Sequence, residues 1–199
     1  AVSSDPGGTT QLSNCEFVGN AGLNNSGSIG ALDLGLLAAT VTNCTFVCNQ
    51  SPAGGTAVRV YGVGGSLTAI NCLWWQNAAG GIADESAQAR SVLGAVFSPS
   101  YCGMMGWTGA FGGTGNNAFD PAFIRAPSPG ADTTWGTADD DYGDLRLSPS
   151  SLAIDSGDSL AVPADSLDID NDGDVTEALP LDLAGNPRFY DDPSRGNTG

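Results

Sequence analysis

A short pattern of apolar and polar residues recurs along the first half of the chain. The segments "SNCEFVGN" (13–20), "TNCTFVCN" (42–49) and "INCLWWQN" (70–77) share Asn-Cys, an aromatic residue two positions after the cysteine, and a final Asn. A degenerate fourth copy, "SYCGMMGW", surrounds Cys102. The four cysteines are separated by 29, 28 and 30 residues. A regular spacing of this length indicates a structural repeat.

Each repeat has the composition of short β-strands. β-Branched and aromatic residues dominate "TVTNCTFV" (40–47) and "SLTAINCLWW" (66–75), and "ALDL" (31–34) and "AVRV" (57–60) lie between the copies. No segment shows a convincing helical stripe. Two or three short strands cannot bury their own apolar face, so each repeat must stack on the next. The sequence therefore predicts an all-β solenoid.

Parallel stacking would place equivalent residues of successive repeats about 4.8 Å apart, so that like side chains form columns. The aromatic residues would form an inward column beside the cysteines, and the asparagines would form ladders at bends that asparagine tolerates. The valines after the aromatic residue, and Trp75, would point outward as an apolar stripe. The predicted columns are Phe17, Phe46 and Trp74; Asn14, Asn43 and Asn71; Asn20, Asn49 and Asn77; and, outside, Val18, Val47 and Trp75.

The sequence leaves the pairing state of the five cysteines open. Parallel strands hold neighbouring Cβ atoms about 4.8 Å apart, beyond the roughly 3.5–4.5 Å of a disulfide. We therefore expect Cys15, Cys44, Cys72 and Cys102 to be buried thiols that fill the core. Cys48 lies outside the pattern and could bridge to a neighbour only with distortion.

The repeats and the tail resemble a known family. "VTNCTFVCN" and "AINCLWWQN" look like turns of right-handed parallel β-helix proteins of the pectate-lyase-like superfamily. The tail "GDLRLSPSSLAIDSGD…LPLDLAGNPRFYDDP" (143–193) resembles the C-terminal segment of secreted bacterial β-helix proteins of the choice-of-anchor Q type. The resemblance implies a right-handed parallel β-helix of about four coils and an exported protein, but it implies no reaction.

The composition changes after the repeats. Residues 1–125 are predicted to form the coils. Residues 126–199 are turn-rich, acidic and poor in apolar residues, so we expect an irregular calcium-binding cap or flap that packs on the coils.

The charge balance excludes some partners. The net charge is −16, with no His or Lys and only six Arg. Such a chain cannot neutralise the phosphates of a nucleic acid or bind an anionic membrane surface. No apolar run is long enough to span a membrane. We expect an extracellular or cell-surface location, with the signal peptide removed or outside this sequence.

The sharpest motif is "DIDNDGD" (168–174), which matches the first half of an EF-hand calcium loop. Alternate carboxylates can converge on one hard cation, and Gly173 permits the turn. Leu179 stands where an EF-hand has its last glutamate, so Glu177 or Asp182 would replace that ligand. The alternative is a solvated acidic turn. The predicted ligands are Asp168, Asp170, Asp172, Asp174 and Glu177.

A second acidic segment, "DTTWGTADDDYGD" (132–144), is a further calcium candidate. Three consecutive aspartates cannot all face one ion, so two or three carboxylates and some carbonyls would bind it. Trp135 is expected to anchor this segment by packing. The predicted ligands are Asp132, Asp139, Asp141 and Asp144.

Two residues are candidates for binding or catalysis. Arg59 in "AVRV" follows Asp33 at the same place in the preceding repeat, and Asp84 could continue the row. This row could be a site or a surface ion pair. Lyases with the resembled fold use Arg or Lys as a base near calcium-held uronate. An exposed Trp75 would instead suit a glycan-binding module.

The sequence favours a non-catalytic, calcium-stabilised protein with a structural or adhesive role at a cell surface or in an extracellular assembly. Its partner would be another protein, a further copy bound through the coil ends, or a glycan. The alternatives are a calcium-dependent polysaccharide lyase and a glycan-binding module.

Overall fold

The computed structural model describes residues 2–4, 8–22, 29–35, 38–51, 57–189, 191–194 and 196. The regular structure of these residues is almost entirely β-strand, which confirms the predicted all-β class. The strands are β1 (Val2–Ser4), β2 (Thr9–Ser13), β3 (Glu16–Val18), β4 (Leu32–Gly35), β5 (Ala38–Thr42), β6 (Thr45–Val47), β7 (Gln50–Ser51), β8 (Val58–Tyr61), β9 (Ser66–Ile70), β10 (Leu73–Trp75), β11 (Ala78–Ala79), β12 (Ala89–Val92), β13 (Val96–Ser100), β14 (Gly103–Met104), β15 (Phe123–Arg125) and β16 (Asp144–Leu147). The helices are α1 (Glu85–Gln88) and a 3₁₀ turn (Ser159–Ala161).

Three parallel sheets each take one strand from every repeat. Their orders are β1-β4-β8-β12, β2-β5-β9-β13 and β3-β6-β10-β14. The register joins equivalent positions, as the sequence predicts: Leu12 pairs with Val41, Val41 with Ala69, and Ala69 with Pro99. Strands β7 and β11 form a smaller parallel pair. In contrast, β15 and β16 pair antiparallel, outside the repeats.

The aromatic column lies in the core between the sheets. Phe17 and Phe46 stack with ring centroids 4.7 Å apart and planes 4° apart, and Phe46 and Trp74 stack at 5.3 Å and 2°. Phe97 ends the column, because its ring meets Trp74 edge-on at 82°. Phe46 and Trp74 have no exposed surface. The predicted inward column is therefore present, and its offset rings stabilise the stacking of the repeats.

All five cysteines are free thiols, and four of them form the predicted inward column. The backbone N–H of Cys44 lies 3.5 Å from the sulfur of Cys72, and that of Cys72 lies 3.4 Å from the sulfur of Cys102. Each sulfur of the column also donates to the carbonyl two residues before it, as Cys44 does to Thr42 at 3.3 Å. The thiols therefore fill the core and also satisfy backbone groups.

The asparagine before each cysteine makes the bend between two sheets. Asn14, Asn43 and Asn71 have φ values of 54°, 55° and 54°, in the left-handed region that asparagine tolerates better than most residues. Their amides form a ladder, with Asn43 donating to Asn14 at 3.4 Å and Asn71 to Asn43 at 3.2 Å. In the fourth repeat Tyr101 takes this position, with φ 52°. The predicted bend is confirmed, and the Tyr explains why the fourth copy looks degenerate.

A second asparagine ladder is buried at the next corner. Asn20 donates to Asn49 at 2.8 Å, and Asn49 donates to Asn77 at 2.8 Å. Asn77 then donates to Gln88 at 2.7 Å. Gln88 belongs to α1, a single helical turn that Asp84 caps and that is too short to show a periodic stripe. The helix thus places an amide side chain where the fourth repeat lacks an asparagine.

Residues after β14 cover one end of the core. Trp107 and Phe111 pack against the core cluster, and Phe111 meets Phe97 edge-on at 5.0 Å. Asn117 donates to the carbonyl of Cys102 and accepts from Met104, which continues the sheet past β14. The predicted division at residue 125 stays a prediction, although β15 pairs only with β16 of the tail among the described residues.

We predict that Asn49→Ala lowers the free energy of unfolding by about 2–4 kcal/mol, because it leaves the carbonyl of Phe17 and the buried amide neighbours without partners. Urea denaturation monitored by circular dichroism measures this loss. Asn20→Ala is the matched control at the half-exposed end of the same ladder, and it should cost less than half as much. Equal losses in the two variants would show that burial of a ladder residue does not increase its contribution to the free energy of unfolding.

We also predict that an alkylating reagent modifies Cys15 alone in the folded protein. Burial raises the pKa of Cys15 as it does those of Cys48, to about 11, and Cys72. Cys15, directly before the edge strand β3, is nevertheless the one half-buried thiol, whereas the other four are buried and closed to the reagent. Mass spectrometry should find one adduct on the native protein, none on Cys15→Ser, and five on the wild type in guanidinium chloride. Rapid native modification of Cys44 or Cys72 would contradict the inward column.

Candidate metal centre

A small antiparallel hairpin in the tail presents the acidic loop. Ala164 and Ala178 form an antiparallel bridge. Beside this bridge, the N–H of Asp165 donates to the carbonyl of Glu177 at 2.8 Å, and the N–H of Leu179 donates to the carbonyl of Pro163 at 2.9 Å. Asp165 and Glu177 therefore face each other at the neck of the loop 166–176.

Hydrogen bonds from backbone N–H groups to aspartate side chains shape this loop. The carboxylate of Asp168 accepts from Gly173 at 3.2 Å, that of Asp170 from Asp172 at 3.3 Å, and that of Asp172 from Asp174 at 2.7 Å. Asp168, Asn171 and Gly173 have φ values of 52°, 60° and 89°. Gly173 takes the left-handed conformation at no steric cost, as the motif predicts.

Three predicted ligands come together in the loop. Single carboxylate oxygens of Asp168, Asp170 and Asp172 all lie within 4.8 Å of one another. Asp168 is half-buried, and the other two are exposed. Carboxylate oxygens at this separation can bind one hard cation, with backbone carbonyls and water completing its shell.

A second group of carboxylates lies at the neck of the loop. Oxygens of Asp165, Asp170 and Glu177 also lie within 4.8 Å of one another. Burial raises the pKa of the Glu177 carboxyl, and the carboxylates of Asp172 and Asp170 raise it further. Glu177 is among the ligands that the sequence predicts, whereas Asp165 is not. Asp165 stands before the alternating run and outside the linear calcium template, and its burial is not visible in the polar sequence around it.

Asp174 and Asp182 are in neither group. The carboxylate of Asp174 accepts from the hydroxyl and the N–H of Thr176, at 2.6 Å and 2.8 Å, and the hydroxyl bond lowers the pKa of Asp174. The carboxylate of Asp182 accepts from the N–H groups of Ala184 and Asn186. Both side chains are occupied in closing turns, so the structure does not bring these two candidates to the cluster.

The second predicted site, residues 132–144, is not assembled in the same way. One oxygen of Asp139 accepts from the N–H groups of Ala131 and Asp132, and the other from the hydroxyl of Thr137 at 2.8 Å. Asp132 closes a turn with Thr134 at 2.8 Å. In the described part of the chain, no group of three carboxylates within 4.8 Å includes Asp132, Asp139, Asp141 or Asp144.

Arginines explain the positions of the other two aspartates in this segment. Asp141 forms an ion pair with Arg125 at 2.9 Å, and Asp144 forms one with Arg146 at 2.6 Å. The Arg146 hydrogen bond lowers the pKa of Asp144 to about 2. Asp144 and Arg146 lie on β16 and Arg125 on its partner β15, so these carboxylates serve a surface hairpin. They are less suited to a cation than the loop 166–176.

Arg59 is tied to the aspartate that the repeat predicts. The strand register pairs Arg59 with Asp33, and the guanidinium donates to both oxygens of Asp33 at 2.9 Å and 2.7 Å. The same guanidinium lies 4.9 Å from the centre of the Tyr61 ring. The next residue in the row is Arg90, and not Asp84, because Asp84 caps α1. The side chain of Arg59 is thus held in a bidentate ion pair.

Trp75 is half-buried by the tail. Val47 and Cys48 are buried with Trp135 in a small apolar cluster, against which Trp75 packs. The ring of Trp135 lies directly on Gly19, where an added Cβ would overlap it. The tail residue Trp135 therefore packs over Val47 and Trp75 of the outer apolar stripe and leaves Trp75 half-buried.

Comparison with protein-family models, curated proteins and solved structures found no match to this chain. Among the described residues, no helix combines the length and the apolar character that a membrane crossing requires.

We predict that Trp135→Ala lowers the free energy of unfolding by about 3–5 kcal/mol, because it removes a buried aromatic side chain from the contact between tail and repeats. Urea denaturation measures the change. Tyr142→Phe is the control, since it keeps the ring that lies 5.8 Å from Trp135 and removes only one exposed hydrogen bond, from the hydroxyl to Asp140 at 3.3 Å. A Trp135→Ala protein as stable as this control would show that the tail is anchored elsewhere.

Proposed function

We propose that this chain is an exported, non-catalytic protein with a structural or adhesive role at a cell surface or in an extracellular assembly. Calcium bound by Asp168, Asp170 and Asp172 would stabilise its tail. The observation that carries this proposal is the gathering of these carboxylates within 4.8 Å in a loop that the chain shapes with its own hydrogen bonds. Carboxylates gathered in this way are suited to hold a cation. The chain has no His or Lys and is therefore poorly equipped for proton transfer.

We propose further that the repeats form a right-handed parallel β-helix of about four coils, in line with the resemblance to the pectate-lyase-like superfamily. Support comes from the common repeat order of the three parallel sheets and from their in-register pairing. Parallel strands need crossover connections, and these are right-handed in nearly all known cases.

The ion pair of Arg59 supports a non-catalytic role. A lyase base must reach the substrate beside bound calcium, but both oxygens of Asp33 hold the guanidinium of Arg59. Trp75 similarly gives little support to a glycan-binding module, since it packs beside Trp135. Both remain the alternatives that an experiment must exclude.

The charge supports an extracellular location. A net charge of −16 keeps a protein soluble and repels other anionic surfaces. Calcium sites in extracellular modules bind at roughly 10⁻⁴–10⁻³ M, which suits a loop whose ligands are largely exposed. The resemblance of the tail to the choice-of-anchor Q segment also supports an extracellular location. The partner would be another protein or a further copy bound at a coil end.

We predict that a chelator lowers the melting temperature by roughly 5–10 °C relative to protein in calcium at about 100 times its Kd. At that excess a ligand stabilises the folded state by about 2.7 kcal/mol, and the chelator removes this stabilisation. Differential scanning fluorimetry measures the shift, and elemental analysis of the untreated protein counts the ions. Asp168→Asn combined with Asp172→Asn should reduce the shift, because asparagine keeps the hydrogen-bonding oxygen and loses the charge. Asp191→Asn, an exposed residue outside both clusters, is the matched control.

Two results would contradict the proposal. A protein without bound metal and without a shift in the chelator would exclude the calcium role. Cleavage of an acidic polysaccharide with release of unsaturated uronates, lost in Arg59→Ala, would favour the lyase instead.

A further inference from the structure

Asp165 has an unusual environment for a carboxylate. Among the residues that the structure describes, it is the only acidic side chain with no exposed surface. One oxygen, Oδ2, accepts from the N–H of Ile169 at 2.8 Å. The other, Oδ1, is buried and has no hydrogen-bond partner. A buried carboxylate oxygen without a partner is costly, so its presence calls for a physical reason.

The surroundings of Asp165 supply that reason. An oxygen of Asp165 lies within 4.8 Å of oxygens of Asp170 and Glu177. Oε1 of Glu177 is also buried and without a partner. Asp165 and Glu177 thus each have a buried oxygen without a donor, and both side chains lie in one group with the carboxylate of Asp170. A group of carboxylates with unsatisfied acceptor oxygens matches the oxygen ligands that a hard divalent cation prefers.

We propose that Asp165, Asp170 and Glu177 bind a second calcium ion, next to the ion of Asp168, Asp170 and Asp172, and that Asp170 bridges the two. This inference rests on the proposed role of the loop as a calcium site, and it adds a separate, more buried ion to it. Asp170 belongs to both groups, and its two oxygens allow it to contact one ion with each.

The charge of the cluster favours two ions over one. The two groups together contain five carboxylates. One divalent cation would leave a large excess of negative charge around the buried Asp165, while two would nearly neutralise the cluster. The second ion would also join both sides of the hairpin neck to the loop, because the backbone of Asp165 is bonded to that of Glu177.

The proposal reverses the usual effect of a mutation at a buried polar residue. In a chelator, Asp165→Asn removes a buried, unpartnered charge and retains an oxygen for the Ile169 N–H, so the melting temperature should rise by roughly 2–4 °C. In calcium the same variant should melt below the wild type, because one ion is lost. A residue with only a structural role would destabilise the protein in both conditions.

Calcium stoichiometry tests the proposal on the whole chain, by native mass spectrometry and by titration calorimetry with calcium alone. The wild type should bind two ions, Asp165→Asn one, and the double variant Asp168→Asn with Asp172→Asn one. Glu177→Gln is a second variant of the same site and should also bind one, and Asp191→Asn should bind two. Circular dichroism confirms that each variant is folded.

Each other outcome has a distinct meaning. A single ion in the wild type, or two ions in folded Asp165→Asn and Glu177→Gln, would overturn the second site and leave the proposed calcium role intact. No ion in the wild type would overturn both. A melting temperature of Asp165→Asn that falls in the chelator as well as in calcium would show that the buried carboxylate serves the fold alone.

Discussion

The structure depends on the parallel, in-register pairing of equivalent residues from successive repeats. No single repeat has enough residues to bury an apolar face, so every inward side chain is covered by its counterpart in the next repeat. The stacked rings of Phe17, Phe46 and Trp74 and the column of thiols are consequences of this pairing. So are the two asparagine ladders, whose side-chain amides hydrogen-bond from repeat to repeat. The later repeat donates in one ladder and the earlier repeat in the other.

The repeats could be read from the sequence because their constraints are local and recur. The Asn-Cys pair fixes a bend at the same place each time, and Asn43 and Asn71 have the same left-handed backbone. The pairing of Arg59 with Asp33 followed from the same spacing. The sequence pattern fails to predict the structure where a repeat fills an equivalent position with a different residue type. Gln88 ends the buried ladder from a helical turn, and no linear pattern marks it as the equivalent of an asparagine.

The candidate metal centre was only partly visible in the sequence. The alternating aspartates of the loop are a local motif, and three of them do come together. Asp165 and the segment 132–144 show the limits of such motifs. Burial of Asp165 arises from the hairpin that pairs it with Glu177, a contact across the loop. In contrast, Asp141 and Asp144 are bound by arginines, and acidic composition alone does not reveal such pairing.

The contact of Trp135 with Gly19 has a consequence for the order of folding. Strand pairing in the repeats can begin as soon as two neighbours are available, whereas this contact joins the first repeat to a residue far along the chain. Contacts of such high sequence separation form slowly, because a long loop must close first. Until that contact forms, Trp135 does not cover Val47 and Trp75, and these apolar side chains are exposed in the partly folded chain. Apolar surface exposed in this way is prone to aggregation. The native state is therefore complete only after Trp135, in the last third of the polypeptide, has packed on the first repeat.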